Sequence, residues 1–220
     1  MTQLMQEGFE EHDWDEKWTR RVGMEKRTTE RPHTGSYSMW FESGGAIGKT
    51  FDSQLTDAYI SYYFYDEGRT VIVPDENDII VSSGEINDKT KTFRLGIATQ
   101  NSNDYYSYWR TGGTNWVTTT VRRAIGWHKV EIWVYNGGLT ASIDNQIIVR
   151  NYTSVNILNS FLFMCSPGPL EWWVDDISVY SPSLYYPGEN GNGPPPPPEE
   201  SPATIPLTVG VLVLLALASL

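Results

Sequence analysis

The sequence predicts an all-β protein: an antiparallel two-sheet jelly-roll sandwich over residues 1–180, a Pro/Gly-rich linker over 181–204 and a C-terminal hydrophobic helix over 205–220. Three observations carry this expectation. Short runs of β-branched and aromatic residues with period-two alternation recur along the first 180 residues. Gly, Asn and Asp clusters separate those runs, and no amphipathic helical pattern interrupts them. Aromatics make up 13% of the 220 residues and charged residues only 20%, enough apolar surface to offset the ordering entropy of a core.

The clearest element is Lys129-Val130-Glu131-Ile132-Trp133-Val134-Tyr135, in which Val130, Ile132 and Val134 share one face and Glu131, Trp133 and Tyr135 the other. Asn136-Gly137-Gly138 then turns the chain into Leu139-Thr140-Ala141-Ser142-Ile143, and Asp144-Asn145 turns it again into Ile147-Ile148-Val149. This is an antiparallel meander. Further strands are expected at 36–41, 59–65, 70–73, 79–81, 92–98, 105–109, 161–165 and 172–180. Asp75-Glu76-Asn77-Asp78 lacks the glycine and terminal Glu of an EF-hand loop and is expected as a solvated turn.

The linker runs through Pro194 to Pro198, and consecutive prolines favour an extended polyproline II spacer of about 3.1 Å per residue. Beyond it, Ser201 to Leu220 carries no charge. At about 1.5 Å per residue the apolar stretch makes roughly 24 Å of helix against a hydrocarbon core of ~30 Å. The segment is thus a marginal span, a processed sorting signal or a span whose end is missing. The N-terminal stretch shows neither a basic n-region nor an apolar h-region. The expected location is membrane-anchored, with the folded domain outside the cell or on an envelope or virion surface, or else tail-anchored in the cytoplasm.

Sixteen Lys and Arg against 27 Asp and Glu leave a net charge of -11 with no basic patch, which excludes nucleic acid as a partner. Cys165 is the single cysteine, so no intrachain disulfide exists, and its apolar neighbours Phe163 and Met164 mark it as a buried, inert thiol. His12, His33 and His128 are scattered without a Ser or Cys partner in a nucleophile elbow, so no triad is supported.

Four motifs in order resemble the concanavalin A-like lectin/glucanase jelly rolls, nearest to laminin G-like and carbohydrate-binding-module domains. They are Gly8-Phe9-Glu10-Glu11, His33-Thr34-Gly35-Ser36-Tyr37-Ser38-Met39, Gly126-Trp127-His128-Lys129-Val130 and Trp173-Val174-Asp175-Asp176-Ile177-Ser178-Val179. The resemblance covers about residues 8–180. The first and last motifs are also similar to those of MAM domains, whose paired cysteines this chain lacks. A jelly roll sets its terminal strands side by side, which would bring Glu10 against Asp175 and Asp176. Clustered carboxylates repel unless a cation sits among them, and Ca²⁺ suits such oxygens together with the carbonyls of a loop containing Gly35 and Ser36. Related carbohydrate-binding modules use a structural Ca²⁺ there. The alternative is a pair of surface acids capping an edge strand. Because Ile177 and Val179 alternate with it, Asp175 is expected inward and Asp176 solvated.

Glu11-His12-Asp13-Trp14-Asp15-Glu16 resembles the catalytic strand of the glucanases of this fold. A retaining pair must stand about 5 to 5.5 Å apart in mid-sheet, whereas this segment is charge-rich and without apolar alternation, so an exposed loop is expected. The surplus of aromatics points elsewhere. Sugars present apolar C–H faces that stack on Trp and Tyr, and the ligand residues expected on strand faces or turns are Tyr63, Tyr65, Tyr105, Trp109, Trp116 and Trp133. The favoured function is a non-catalytic, membrane-tethered carbohydrate-binding or adhesion module whose partner is a glycan or cell-surface polysaccharide. A structural surface or virion protein using the jelly roll for protein contacts, and a glycoside hydrolase of the same fold, are the alternatives.

Overall fold

The computed structural model describes residues 2–70, 76–84, 91–110 and 116–181. The expected strand at 70–73, beyond Thr70, lies outside the described residues, as do the linker and the hydrophobic tail. Among the described residues no helix is long and apolar enough to cross a membrane.

The described residues form strands β1 (Thr2–Glu7), β2 (Arg20–Thr28), β3 (Ser38–Leu55), β4 (Ala58–Asp66), β5 (Glu76–Ser82), β6 (Thr92–Ala98) and β7 (Tyr105–Arg110). They continue with β8 (Trp116–Arg122), β9 (Gly126–Tyr135), β10 (Gly138–Ile143), β11 (Gln146–Tyr152), β12 (Leu158–Cys165) and β13 (Trp172–Ser181). A single 3₁₀ turn, Trp14–Lys17, is the only helical element among them. All pairings are antiparallel, in the order β11-β10-β9-β4-β13-β3-β12-β5-β6-β7-β8, with β1 on β13 and β2 on β3.

The 18-residue β3 joins the two layers of the sandwich. Its residues Met39 to Phe41 pair with β13, whereas Ala46 to Leu55 pair with β12. At the bend between these halves, β2 skips register between Val22 and Met24. Gly23 and Gly44 take φ of +85° and +84° there, and a Cβ on Gly23 would stand 2.5 Å from the Gly44 carbonyl oxygen. Only glycine fits that corner.

Alternation decides what lies between the layers. From the first layer Ile60, Tyr62, Phe64, Val130, Ile132 and Val174 point inward, and from the second Val81, Phe93, Leu95, Tyr106, Phe161 and Phe163. They meet ring to ring, as in Tyr62–Phe163 at 4.8 Å and Phe64–Tyr106 at 5.4 Å between centroids. Each such buried side chain contributes about 1.5–3 kcal/mol by leaving water. Cys165 is fully buried in the same core, as its neighbours implied.

The meander forms as read. Asn136 (φ +50°) with Gly137 (+78°), and Asp144 (+49°) with Asn145 (+63°), adopt the left-handed pairs that match strand twist in two-residue hairpins. His128 is buried and structural: its Nδ1 lies 2.7 Å from Asp144 Oδ2 and its Nε2 2.8 Å from the Ala124 carbonyl. Burial opposes its charged form, but these two acceptors outweigh that and raise its pKa.

Four stretches escaped the sequence pattern: β1, β2, the second half of β3, and β8. The solvated turn expected at Asp75-Glu76-Asn77-Asp78 needs correction from Glu76 on, Asp75 lying outside the described residues. Glu76, Asn77 and Asp78 are strand β5 rather than a solvated turn, and Asp78 is fully buried.

Candidate functional site

Each layer turns a second face outward, and both carry aromatic rows. On the first layer, cross-strand register aligns Trp127, Tyr65, Trp173 and Trp40 over β9, β4, β13 and β3. Tyr65 meets Trp127 and Trp173 edge-on at 5.6 and 6.0 Å. The segment between β2 and β3 closes over this row. The Arg31 guanidinium sits 4.7 Å above Tyr65 and 4.2 Å above Trp173, and His33 stacks on Tyr63 at 3.7 Å. Trp173 is consequently only 1% exposed although it faces away from the core.

Three carboxylates hold that segment down. Asp175 Oδ2 accepts the backbone N–H groups of His33 (2.8 Å) and Thr34 (3.4 Å), and Asp175 Oδ1 accepts that of Asp176 (2.8 Å). Asp176 Oδ2 lies 2.6 Å from His33 Nδ1, and its Oδ1 accepts the Thr34 hydroxyl at 2.6 Å. Glu10 Oε1 accepts the N–H groups of Ser36 and Tyr37 at 2.9 and 2.8 Å. Gly35 has φ +63°, and a Cβ there would stand within 2.4 Å of Glu10 Oε1, so the chain passes the carboxylate only because residue 35 is glycine. Burial, then the charge of Asp176, push the Asp175 carboxyl up to about 7 against the pull of the loop amides.

The expected convergence of Glu10, Gly35, Ser36, Asp175 and Asp176 is therefore present, but the groups facing the carboxylates are backbone amides, the Thr34 hydroxyl and the His33 ring. A cation needs the reverse, carbonyl oxygens turned inward. Among the described residues no group of three or more His, Cys, Asp or Glu side chains is placed to hold a metal. The expected orientation of Asp175 also needs correction. Between Asp175↔Tyr63 and Ser178↔Ser61, β13 carries one residue more than β4, with Asp176 at φ +49°. This bulge flips parity, so Asp175 points to the outer face and is buried by the loop above it rather than by the core.

The second layer's outer face has no such cover among the described residues. One row runs Gly48, Leu162, Ile80, Arg94, Trp109 and Trp116 across β3, β12, β5, β6, β7 and β8. Ala46, Ile80 and Leu162 with Met164 form an apolar cluster separate from the core. Beside it Arg94 pairs with both Glu76 and Asp78 and lies 4.9 Å from the Trp116 ring centroid. Trp116 Nε1 donates to Glu76 Oε1 at 2.9 Å, and Gln100 donates to the same oxygen. Trp116 and Trp109 meet edge-on at 6.1 Å, and Trp109 is half-buried. The Asn101 amide lies 2.9 and 2.8 Å from the Ser107 and Thr118 hydroxyls along the neighbouring row. Burial raises the Asp78 pKa even against Arg94.

No family model matches this chain, and no curated protein matches it. Solved structures do. The carbohydrate esterase of Shiga toxin-encoding bacteriophage phi24B shares 12% identity, covering 81% of this chain and 97% of its own, at a TM-score of 0.56. A Bacillus subtilis protein of unknown function with a galectin-like fold shares 10%, covering 82% and 96%, at 0.55. The carbohydrate recognition domain of Emp46p, in a potassium-bound form, shares 9%, covering 83% and 97%, at 0.53. The chain has the concanavalin A-like sandwich fold. At these identities the likeness establishes the fold alone.

The concanavalin A-like sandwich sorts the six expected ligand residues between its two outer faces. Tyr63 and Tyr65 lie half-buried on the first face, under His33 and Arg31 respectively. Trp133 is there too, but it is 5% exposed, packed 5.5 Å from Tyr59, whose hydroxyl donates to Glu131. Trp116, expected as a ligand residue, is only 6% exposed, because Glu76, Arg94 and Trp109 pack around it. Tyr105 and Trp109 are half-buried on the second face. Sequence reasoning missed Arg94, Asp78, Glu76 and Asn101. The signal it passed over is Glu76-Asn77-Asp78, whose acids at i and i+2 share a strand face. The glucanase-like segment Glu11 to Glu16 is an exposed turn, its Glu11 paired with Lys17 and Asp15 with Arg21. Surface depressions of about 340 Å³ at β1 and about 320 Å³ at Arg122 and Asn103 lie away from Trp109.

Proposed function

We propose that this protein binds carbohydrate without transforming it, through the outer face of the second layer, with Trp109 as the sugar platform. The observation that carries this reading is the half-buried Trp109 ring set beside a hydrogen-bonded charge network, an apolar patch and exposed amides at Gln100 and Asn101. Pyranose rings need this combination, a flat apolar surface flanked by donors and acceptors fixed in advance. Neighbours of the same fold whose names record carbohydrate recognition support it, including the botulinum neurotoxin DC binding domain in complex with SialylT, at a TM-score of 0.51.

A non-catalytic role is supported by the state of the carboxylates. Glu76 accepts from Trp116, Gln100 and Arg94, and Asp78 is fully buried against Arg94, so neither is poised to protonate or attack a glycosidic bond. Screening the protein on a glycan array and titrating the strongest hit tests the reading. Binding lost in Trp109→Ala supports it, and release of reducing sugar from that hit would replace it with catalysis.

Two further parts of the proposal concern placement and the loop. The polyproline segment is read as a stalk and the apolar tail as a membrane tether, which a carbonate-resistant membrane fraction would support and a fully extractable protein would contradict. For the loop over the first face we favour a metal-free clasp of amides on carboxylates. The rival is Ca²⁺, and a melting temperature raised by millimolar Ca²⁺ and lowered by EGTA would establish it.

A further inference from the structure

One exposed stretch of the first layer serves neither the core nor the Trp109 face. Among the described residues β11 ends the sheet order, and it bulges between Val149 and Tyr152, which stand opposite Ala141 and Leu139. The bulged strand takes one step more than β10, and Asn151 absorbs it in the left-handed conformation, at φ +46°. Both flanking side chains stay inward: Val149 is buried, and Tyr152 packs on Phe93 at 5.8 Å. Asn151 and Thr153, on either side of Tyr152, are both exposed. The Asn151 N–H donates to the Thr140 hydroxyl at 3.3 Å, and its Oδ1 packs over Gly138, where a Cβ would collide with it. Its Nδ2 and the Thr153 hydroxyl have no hydrogen-bond partner among the described residues. No other Asn in the chain is followed two places on by Ser or Thr.

We propose that Asn151 is an N-glycosylation site, so that the domain carries one N-linked glycan on the free edge of its first layer. The inference rests on the apolar tail tethering the domain on the outer side of a membrane. There the chain meets the donor, an oligosaccharide carried on a polyprenyl diphosphate, and its transferase. Asn151 Nδ2 bonds to C1 of the first sugar, and the bond from C1 to the diphosphate oxygen breaks. The lipid diphosphate leaves with that electron pair, and one amide proton passes to a base of the transferase. Recognition of the acceptor requires the hydroxyl two residues on, which Thr153 supplies. Since β11 has no further strand beside it, a glycan there displaces no pairing. A bulky hydrated chain also shields an edge that could otherwise template pairing with another molecule.

Because the Trp109 face is itself read as sugar-binding, the sugar has to be shown to be covalent. The full-length protein recovered from the membranes of its natural source is denatured and treated with peptide-N-glycosidase, then followed by electrophoresis and peptide mass spectrometry. The expected result is a mobility shift that survives denaturation, collapses on enzyme treatment and leaves aspartate in place of Asn151. Thr153→Ala should abolish the shift and Thr153→Ser should keep it. Both leave the left-handed Asn151 untouched, and their melting temperatures after enzyme treatment should match wild type. A protein that resists carbonate extraction yet carries only unmodified Asn151 would overturn the glycan and leave the tether standing. An unmodified protein that carbonate extracts completely would overturn both, and neither result bears on binding at Trp109.

Discussion

The two outer faces of this sandwich start from similar material and end differently. Both align tryptophans across neighbouring strands, and both bring an arginine over an indole, Arg31 over Trp173 and Arg94 over Trp116. On the first face the arginine belongs to a loop, which carboxylates of β13 and Glu10 pin down, and Trp173 is buried beneath it while Trp40, Tyr65 and Trp127 stay half-buried. On the second face the arginine belongs to β6 and is held from below by Glu76 and Asp78, so no loop residue is needed to satisfy it and Trp109 stays half-buried. An aromatic strand face is thus not in itself a binding surface. What separates them is the origin of the groups that complete the hydrogen bonds, a covering loop in one case and the sheet in the other.

The contrast can be broken by mutation. The largest effect is expected from Trp173→Ala: although the residue faces outward, removing it should cost about 3–5 kcal/mol of stability, read by urea unfolding, as for a core tryptophan. A loss under about 1 kcal/mol would return Trp173 to an ordinary surface role. Arg94→Met should come next, at about 3 kcal/mol, because it leaves Asp78 buried without its partner. The double variant Asp78→Leu with Arg94→Met should recover much of that loss, which would sharpen the view that the pair shapes the face rather than holds the fold.

Asp175→Asn probes the clasp through pH. Its folded pKa of about 7 lies above the ordinary carboxylate value of 3.8, so the folded state binds this proton more tightly than the unfolded state. The stability it contributes is present at acid pH and is lost as pH rises from about 4 to 7. Melting temperatures of the Asn variant should lack this decline, and parallel profiles for the two proteins would contradict the assignment. The smallest effect belongs to Arg31→Ala, about 0.5–1 kcal/mol, yet it should open the first face and make its indoles more quenchable by acrylamide.

Most of the sandwich was legible because interior strands must hide one face, and β4, β9, β10, β12 and β13 announce it by alternation. The strands that were not legible are those with the least to hide. β1 and β2 pair on one side only, and β8 ends the ladder, so their sequences carry charge or threonine where an interior strand carries valine. The second half of β3 was hidden by Gly44, Gly45 and Gly48, which read as turn residues and in fact shape a strand that bends between layers. At the candidate site the aromatics were visible, but which were open was not. Trp116 and Trp109 lie in sequence-similar settings, and only the pairing of β5, β6, β7 and β8 shows that Glu76 and Arg94 enclose one and leave the other. The bulge at Asp176 hid the true direction of Asp175 in the same way, since one extra residue reverses every side chain before it.

The central claim is that the Trp109 face, and not the covered Tyr63–Tyr65 face, meets sugar. Titrating the best array hit into wild type, Trp109→Ala and Tyr65→Ala, with melting temperatures measured alongside, tests it most directly. The account predicts that binding weakens at least about a hundredfold in Trp109→Ala, in line with loss of a central aromatic anchor, and stays within about twofold of wild type in Tyr65→Ala. Binding that survives Trp109→Ala and disappears with a folded Tyr65→Ala would contradict it.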